Sequence, residues 1–134
     1  MNNIIQQICE KYITEVLEFF DTETIRTLDE MEMELKEKTD CYLRQMMRIY
    51  LESLDEAIAK DRVGRKRKGY VIEHKAAKRE IYTRFGILEF KRRYYKNKLS
   101  NTYSYLLDKV VGIESYERIS GRVSAALVGS AAEV

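Results

Sequence analysis

Residues 79–98 read REIYTRFGILEFKRRYYKNK, and their periodicity decides the fold. Glu80, Tyr82 and Arg84 alternate with Arg79, Ile81, Thr83 and Phe85. Beyond Gly86, Leu88, Phe90, Arg92 and Tyr94 alternate with Glu89, Lys91, Arg93 and Tyr95. A period of two on both sides of a glycine predicts two strands joined at Phe85-Gly86, because glycine supplies the positive φ of a tight turn. An isolated hairpin is marginal in water. The preceding GYVIEH, residues 69–74, is therefore expected to add a third strand.

Working toward the N-terminus, Gly64 and Gly69 bracket a basic run, and before them the period is helical. Ile4, Ile5, Ile8, Tyr12, Val16, Leu17 and Phe20 recur at spacings of three and four, which predicts an amphipathic helix. Asp21 or Thr22 is placed to cap a second helix, with Glu23 near its positive end. That helix carries Ile25, Leu28, Met31 and Leu35, then Leu43, Met47, Tyr50, Leu54 and Ile58. Uninterrupted it would run roughly 60 Å at about 1.5 Å per residue. It is expected either to break near Thr39-Asp40 or to pair with another chain.

Toward the C-terminus the helical signal returns after LLDKVVGI. Ser120 is placed as a cap, with Val123, Leu127 and Ala131 on one side. The pattern is still running at Val134 without a glycine cap or a basic last turn, so the helix is expected to continue in a longer protein. The fold expected is α+β and one compact domain overall. It comprises an acidic helical segment over 1–63, a basic antiparallel β-hairpin or three-stranded meander over 64–106, and a C-terminal helical segment over 107–134.

Composition narrows the function classes. A chain of 134 residues fits one domain. No window approaches the ~18 unbroken apolar residues of a membrane span, and MNNIIQQICEKYITEV has no basic segment leading into an apolar one. A bacterial cytoplasmic setting is the expectation. Cys9 and Cys41 stand alone, without the paired spacing of a disulfide framework or a thiolate metal site.

The formal net charge of +2 conceals a segregation. Residues 1–61 hold 7 Lys and Arg against 15 Asp and Glu, a balance of −8; residues 62–98 hold 14 against 3, a balance of +11; residues 99–134 hold 3 against 4, a balance of −1. A polyanion would feel the local field of the middle third. The candidate nucleic-acid contacts are Arg65, Lys66, Arg67, Lys68, Lys78, Arg79, Arg84, Lys91, Arg92 and Arg93. Phosphates attract such a surface, and the interleaved Tyr70, Tyr82, Tyr94 and Tyr95 are candidates to stack on unpaired bases. The opposing reading is a solvated sheet face whose arginines pair with the acidic helices.

Catalysis finds little support. His74 is the single histidine, with no nucleophile or carboxylate at a recognisable spacing. GRKRKG lacks the Lys-Ser/Thr and the following helix of a phosphate loop. Glu32, Glu34 and Glu37 read as a solvated helix face, and Met31, Met33, Met46 and Met47 as packing residues.

The succession GYVIEHKAAKREIYTRFGILEFKRRYYKNK, YSYLLDKVVGIESYERIS and RVSAALVGSAAEV resembles the N-terminal region of bacterial insertion-sequence transposases of the ISLre type. That group overlaps a family catalogued only as uncharacterised protein. The resemblance runs from about Leu51 to the end and rests on Tyr70, Arg79, Phe85-Gly86, Phe90, Arg92-Arg93-Tyr94-Tyr95, Leu107-Asp108, Gly112 and Tyr116-Glu117-Arg118-Ile119-Ser120. It implies a DNA-handling segment upstream of a helix-turn-helix and a nuclease core with three catalytic carboxylates. Several such transposases place a paired-cysteine zinc knuckle after the RRYY-like motif. Here residues 96–101, KNKLSN, offer no thiol, so zinc is not expected.

The resulting expectation is a DNA-binding or assembly segment of a transposase-like protein, not an enzyme by itself, without cofactor or membrane partner, and self-associating through the helix from Thr22 to Arg62. The alternative is a helical self-association module that makes no direct contact with nucleic acid.

Overall fold

The computed structural model describes residues 2–114 and 118. Helix α1 spans Asn2–Phe19 and α2 spans Leu28–Lys60, followed by a short helix α3 over Arg62–Lys68. Strands β1 (Tyr70–Thr83), β2 (Gly86–Asn97) and β3 (Thr102–Ser104) form one antiparallel sheet in the order β1-β2-β3, and α4 covers Leu106–Val111. This is the α+β arrangement that the two periodicities predict. Among the described residues no helix is long and apolar enough to cross a membrane.

Helices α1 and α2 form an antiparallel hairpin. Tyr12 stacks on Tyr42 with centroids 4.4 Å apart, the Tyr12 and Thr39 hydroxyls lie 3.1 Å apart, and Cys9 Sγ lies 3.3 Å from the Tyr42 hydroxyl. Contact with Cys9, followed by burial, pushes the Tyr42 pKa up. These contacts explain why α2 does not break at Thr39-Asp40: α1 folds back over that turn and supplies its partners.

The cap also differs from the expected Asp21 or Thr22. Thr27 accepts from the Glu30 N–H while Glu30 reaches back to the Thr27 N–H, a complete capping box. Ile25 consequently lies outside the helix and is exposed. Arg26 ties the connection down, donating to Phe19 O at 2.9 Å and to Glu34 at 2.6 Å.

The basic run between Gly64 and Gly69 is helical, not the start of the sheet. Asp61 caps α3 by accepting from the Gly64 N–H at 3.1 Å, in a space that a side chain at 64 would invade: a Cβ there would lie 2.3 Å from Asp61 Oδ2. Gly69 closes the helix in the left-handed region at φ 89°.

The hairpin turns where expected. Thr83 pairs with Gly86 around the two residues Arg84 and Phe85, Gly86 has φ 102°, and the Arg44 guanidinium donates to Phe85 O. GYVIEH, however, is not a separate strand. Past its Gly69, which closes α3, it is the first part of β1, which runs unbroken to Thr83 with register shifts between Ile72 and His74 and between His74 and Ala77. The third strand comes from Thr102–Ser104 on the far side of β2. Across the shifts the buried positions of β2 change phase, from Leu88, Phe90 and Arg92 to Tyr95. Extra residues in one strand bend it and increase its twist.

The core forms where α2 and α4 meet the sheet: Leu51, Ile81, Leu88, Phe90 and Leu107, with Met47, Leu54, Ile58, Val111 and Ile113 packed around them. Met47, Leu54 and Ile58 belong to the apolar stripe expected to seam two chains. They are largely occupied within this one, while Tyr50 of the same stripe is exposed. Helix α2 also lies against the edge of β2 that β3 leaves open. The N–H groups of Lys91 and Arg93 donate to Glu52 Oε1 at 3.1 Å and to Asp55 Oδ1 at 3.0 Å.

Candidate nucleic-acid interface

The ten cationic candidates divide into those whose side chains engage other described groups and those that are exposed with no ion pair among the described residues. Arg92 is the plainest departure from expectation. It is only 3% exposed, bonded to the Asp108 carboxylate at 3.3 and 3.4 Å and to the carbonyls of Ala77 and Lys78 at 3.0 and 2.9 Å. The Tyr105 ring lies 3.6 Å from its guanidinium carbon. Its donors are taken up by α4 and β1, so Arg92 is removed from the set of surface contacts.

Arg93 is similarly committed, reaching Asp55 at 2.7 Å and Glu56 at 2.8 Å. Burial would lower its pKa, but the bonds to Glu56 and Asp55 outweigh that and raise it. The same bond from Arg93, with its positive charge, holds the Glu56 carboxyl below its ordinary value. Arg65 turns back to Ala59 O at 2.9 and 3.1 Å and covers the Tyr95 ring. Arg79 donates to Glu114 O at 3.0 Å. Lys78 reaches Glu89 at 3.6 Å, diagonally across an outer sheet face where Lys78 opposes Lys91 and Glu80 opposes Glu89. Like charges directly opposite repel, and the diagonal ion pair offsets that.

Five candidates remain. Lys66, Arg67, Lys68, Arg84 and Lys91 are exposed, and their side chains form no ion pair with the described residues. The fold separates them. Arg84 sits at the hairpin tip, whereas Lys66, Arg67 and Lys68 occupy the last turn of α3 beside the far end of the ladder, where Tyr70 pairs with Asn97. At about 3.3 Å per residue the two ends of β2 are roughly 35 Å apart. Two ends of a rod with mixed charge between them replace the single dense surface expected.

The end beside α3 is the richer. Asn97 donates to Lys68 O at 3.2 Å and Lys98 N–H to Gly69 O at 2.8 Å, which locks α3 against the β2–β3 turn and brings Lys96 and Lys98 alongside Lys66, Arg67 and Lys68. Aromatic rings adjoin this corner. His74, Tyr94 and Tyr103, one from each strand, run parallel within 17° at centroid separations of 6.2 and 5.6 Å, and Tyr105 packs on Tyr94 at 4.6 Å. Lys96 Nζ lies 5.8 Å from the Tyr103 centroid.

Of the tyrosines singled out from sequence, Tyr94 joins this ladder and Tyr82 is exposed. Tyr70 packs edge-on against Tyr95. Tyr95 is fully buried, with no partner for its hydroxyl among the described residues, and burial pushes its pKa up. Sequence reasoning missed His74 and Tyr103 as ladder members. Tyr103 lies in NTYSY, too short a stretch to show a strand period. Among the described residues no group of three or more His, Cys, Asp or Glu is placed to hold a metal ion.

A protein-family model described as an uncharacterised protein family (UPF0236) matches residues 21–134. Several UPF0236 proteins of Caldanaerobacter subterraneus subsp. tengcongensis are similar to the chain. Two of them are 33% identical over 133 residues, covering 98% of this chain and 28% and 26% of the relative; another is 35% identical over 106 residues, covering 79% and 22%. The chain thus spans about a quarter of the length of the curated relatives it matches. No solved structure matches it.

Proposed function

The chain belongs to the uncharacterised protein family UPF0236, and from that premise we propose that it is a DNA-binding and assembly segment of a transposase-like protein whose nuclease chemistry resides elsewhere. The transposase part of the reading rests on the ISLre-type motifs, above all Phe85-Gly86 and Arg92-Arg93-Tyr94-Tyr95. The DNA part rests on the corner where Lys66, Arg67 and Lys68 stand exposed, with no ion pair among the described residues, beside Lys96 and Lys98. Such a corner offers a phosphate backbone several cations whose counterions are released on binding. No acid–base or metal chemistry is assigned to this segment.

The test is a titration of the chain with duplex DNA across salt concentrations. Affinity is expected to fall steeply with salt, and changing Lys66, Arg67 and Lys68 together to alanine is expected to flatten log K against log salt by about 0.9 for each phosphate no longer neutralised. Undetectable binding at low salt, or a slope unchanged in the folded triple variant, defeats the proposal.

A self-association reading is favoured by a different observation. Ile13 and Leu17, one turn apart on α1, and Phe20 just beyond it are exposed, although the opposite face of α1 already covers α2. Sedimentation decides it. A dimer is expected to separate into folded monomers when Ile13 and Leu17 become lysine.

A further inference from the structure

We infer that the ladder of His74, Tyr94 and Tyr103 is a stacking platform for the unpaired bases of a DNA strand whose phosphates lie on the adjoining cations. This rests on the DNA-binding reading above and adds which form of DNA the site takes.

The ring exposures point to a surface role. Tyr95, the next residue along β2 from Tyr94, is completely buried, as a tyrosine recruited for packing would be. Tyr103 remains 48% exposed and His74 is exposed, so the two ends of the ladder face solvent. Parallel rings drawn from all three strands stack into a column whose end rings, His74 and Tyr103, are exposed, and a base presents a π-face of matching chemistry whatever its sequence. Paired bases keep their faces inside the duplex, so only an unpaired strand can use such a column.

Charge placement agrees. Lys96 is directly across the β2–β3 pairing from Tyr103, and Lys68 is joined through its carbonyl to Asn97, the next residue. A base on Tyr103 would carry its phosphates toward Lys96, Lys98 and Lys68. Glu80 and Glu89 pair farther along the sheet, toward the hairpin turn and on the face opposite to Tyr94. The aromatic column therefore lies at the end of the sheet where its neighbours are predominantly cationic.

The experiment compares a labelled oligodeoxythymidine strand with a duplex of the same length, using the full chain and anisotropy as the readout. Tyr103→Ala is expected to weaken single-strand binding by about tenfold, the scale of removing one stacked base, and to change duplex binding by less than twofold. Tyr103→Phe should bind like the unmodified chain. Because Tyr103→Ala could loosen β3, His74→Ala on β1 serves as a second variant and should show the same selective loss. The chain contains no tryptophan, so its emission is tyrosine emission, and single-strand binding should quench it less in Tyr103→Ala.

If folded Tyr103→Ala and His74→Ala both bind the single strand as the unmodified chain does, the platform is refuted. If duplex binding persists and depends on Lys66, Arg67 and Lys68 in that case, the DNA-binding reading survives. If the unmodified chain binds neither form, both fall.

Discussion

Arg92 and Lys91 are the same kind of residue in the sequence and opposite kinds in the structure. A basic side chain in an alternating strand reads identically whether it meets a phosphate or a carboxylate sixteen residues away. Asp108 gives no local sign that it is the partner. Removing Arg92 leaves Asp108 charged and buried, so Arg92→Ala is expected to cost about 3–5 kcal/mol in urea unfolding. Replacing Arg92 and Asp108 together by leucine should recover much of that loss. Tyr95→Phe should be neutral or slightly stabilising in the same measurement, because it removes a buried hydroxyl with no partner among the described residues. The Arg93–Glu56 pair adds a pH dependence. Glu56 has a folded pKa below its ordinary 4.5, so its contribution is present above that value and disappears as the pH falls through the lowered one. Denaturation midpoints followed down through pH 4 are expected to become less sensitive to Glu56→Gln.

Helix α2, β1 and β2 were readable from their periods, and their limits were not. The turn at Gly86 is visible because alternation stops at a glycine and resumes in the complementary phase. The unity of β1 is hidden because two register shifts between Ile72 and Ala77 interrupt the alternation that would have marked it. Helix α3 is hidden for another reason: Gly64 looks like a breaker, yet it is the small residue that lets Asp61 cap the helix. Glycine at 86 is demanded by conformation. At φ 102° a Cβ is strained and would also meet the Arg44 guanidinium at 2.7 Å, so Gly86→Ala is expected to lower the melting temperature by several degrees. Thr27→Ala removes half of the capping box and should cost about 1 kcal/mol.

For the chain as a unit, the segregation of −8 and +11 does not become two opposed faces. Asp55 and Glu56 pair with Arg93 and Asp108 with Arg92, and so consume part of the charge of the basic sheet. The field left for a polyanion is therefore smaller than the sequence balance and concentrated at the α3 corner. The same interleaving sets the outcome of a charge placed in the α2 stripe. Leu54 packs on the core, so Leu54→Glu is expected to unfold the chain, as circular dichroism would register, whereas lysines at Ile13 and Leu17 should leave it folded.

Glu52 and Asp55 guard more than charge balance. The backbone donors they accept from belong to a strand edge that has no third strand beside it until Tyr95 meets Ser104. An uncovered edge is a template on which a foreign strand can add, and proteins block it with charge or with a covering element. Replacing both carboxylates by alanine would expose two main-chain donors in one row. The expected result is concentration-dependent aggregation with an amyloid-like β signature in dye binding, so that one helix turn in α2 acts as the molecule's protection against its own sheet.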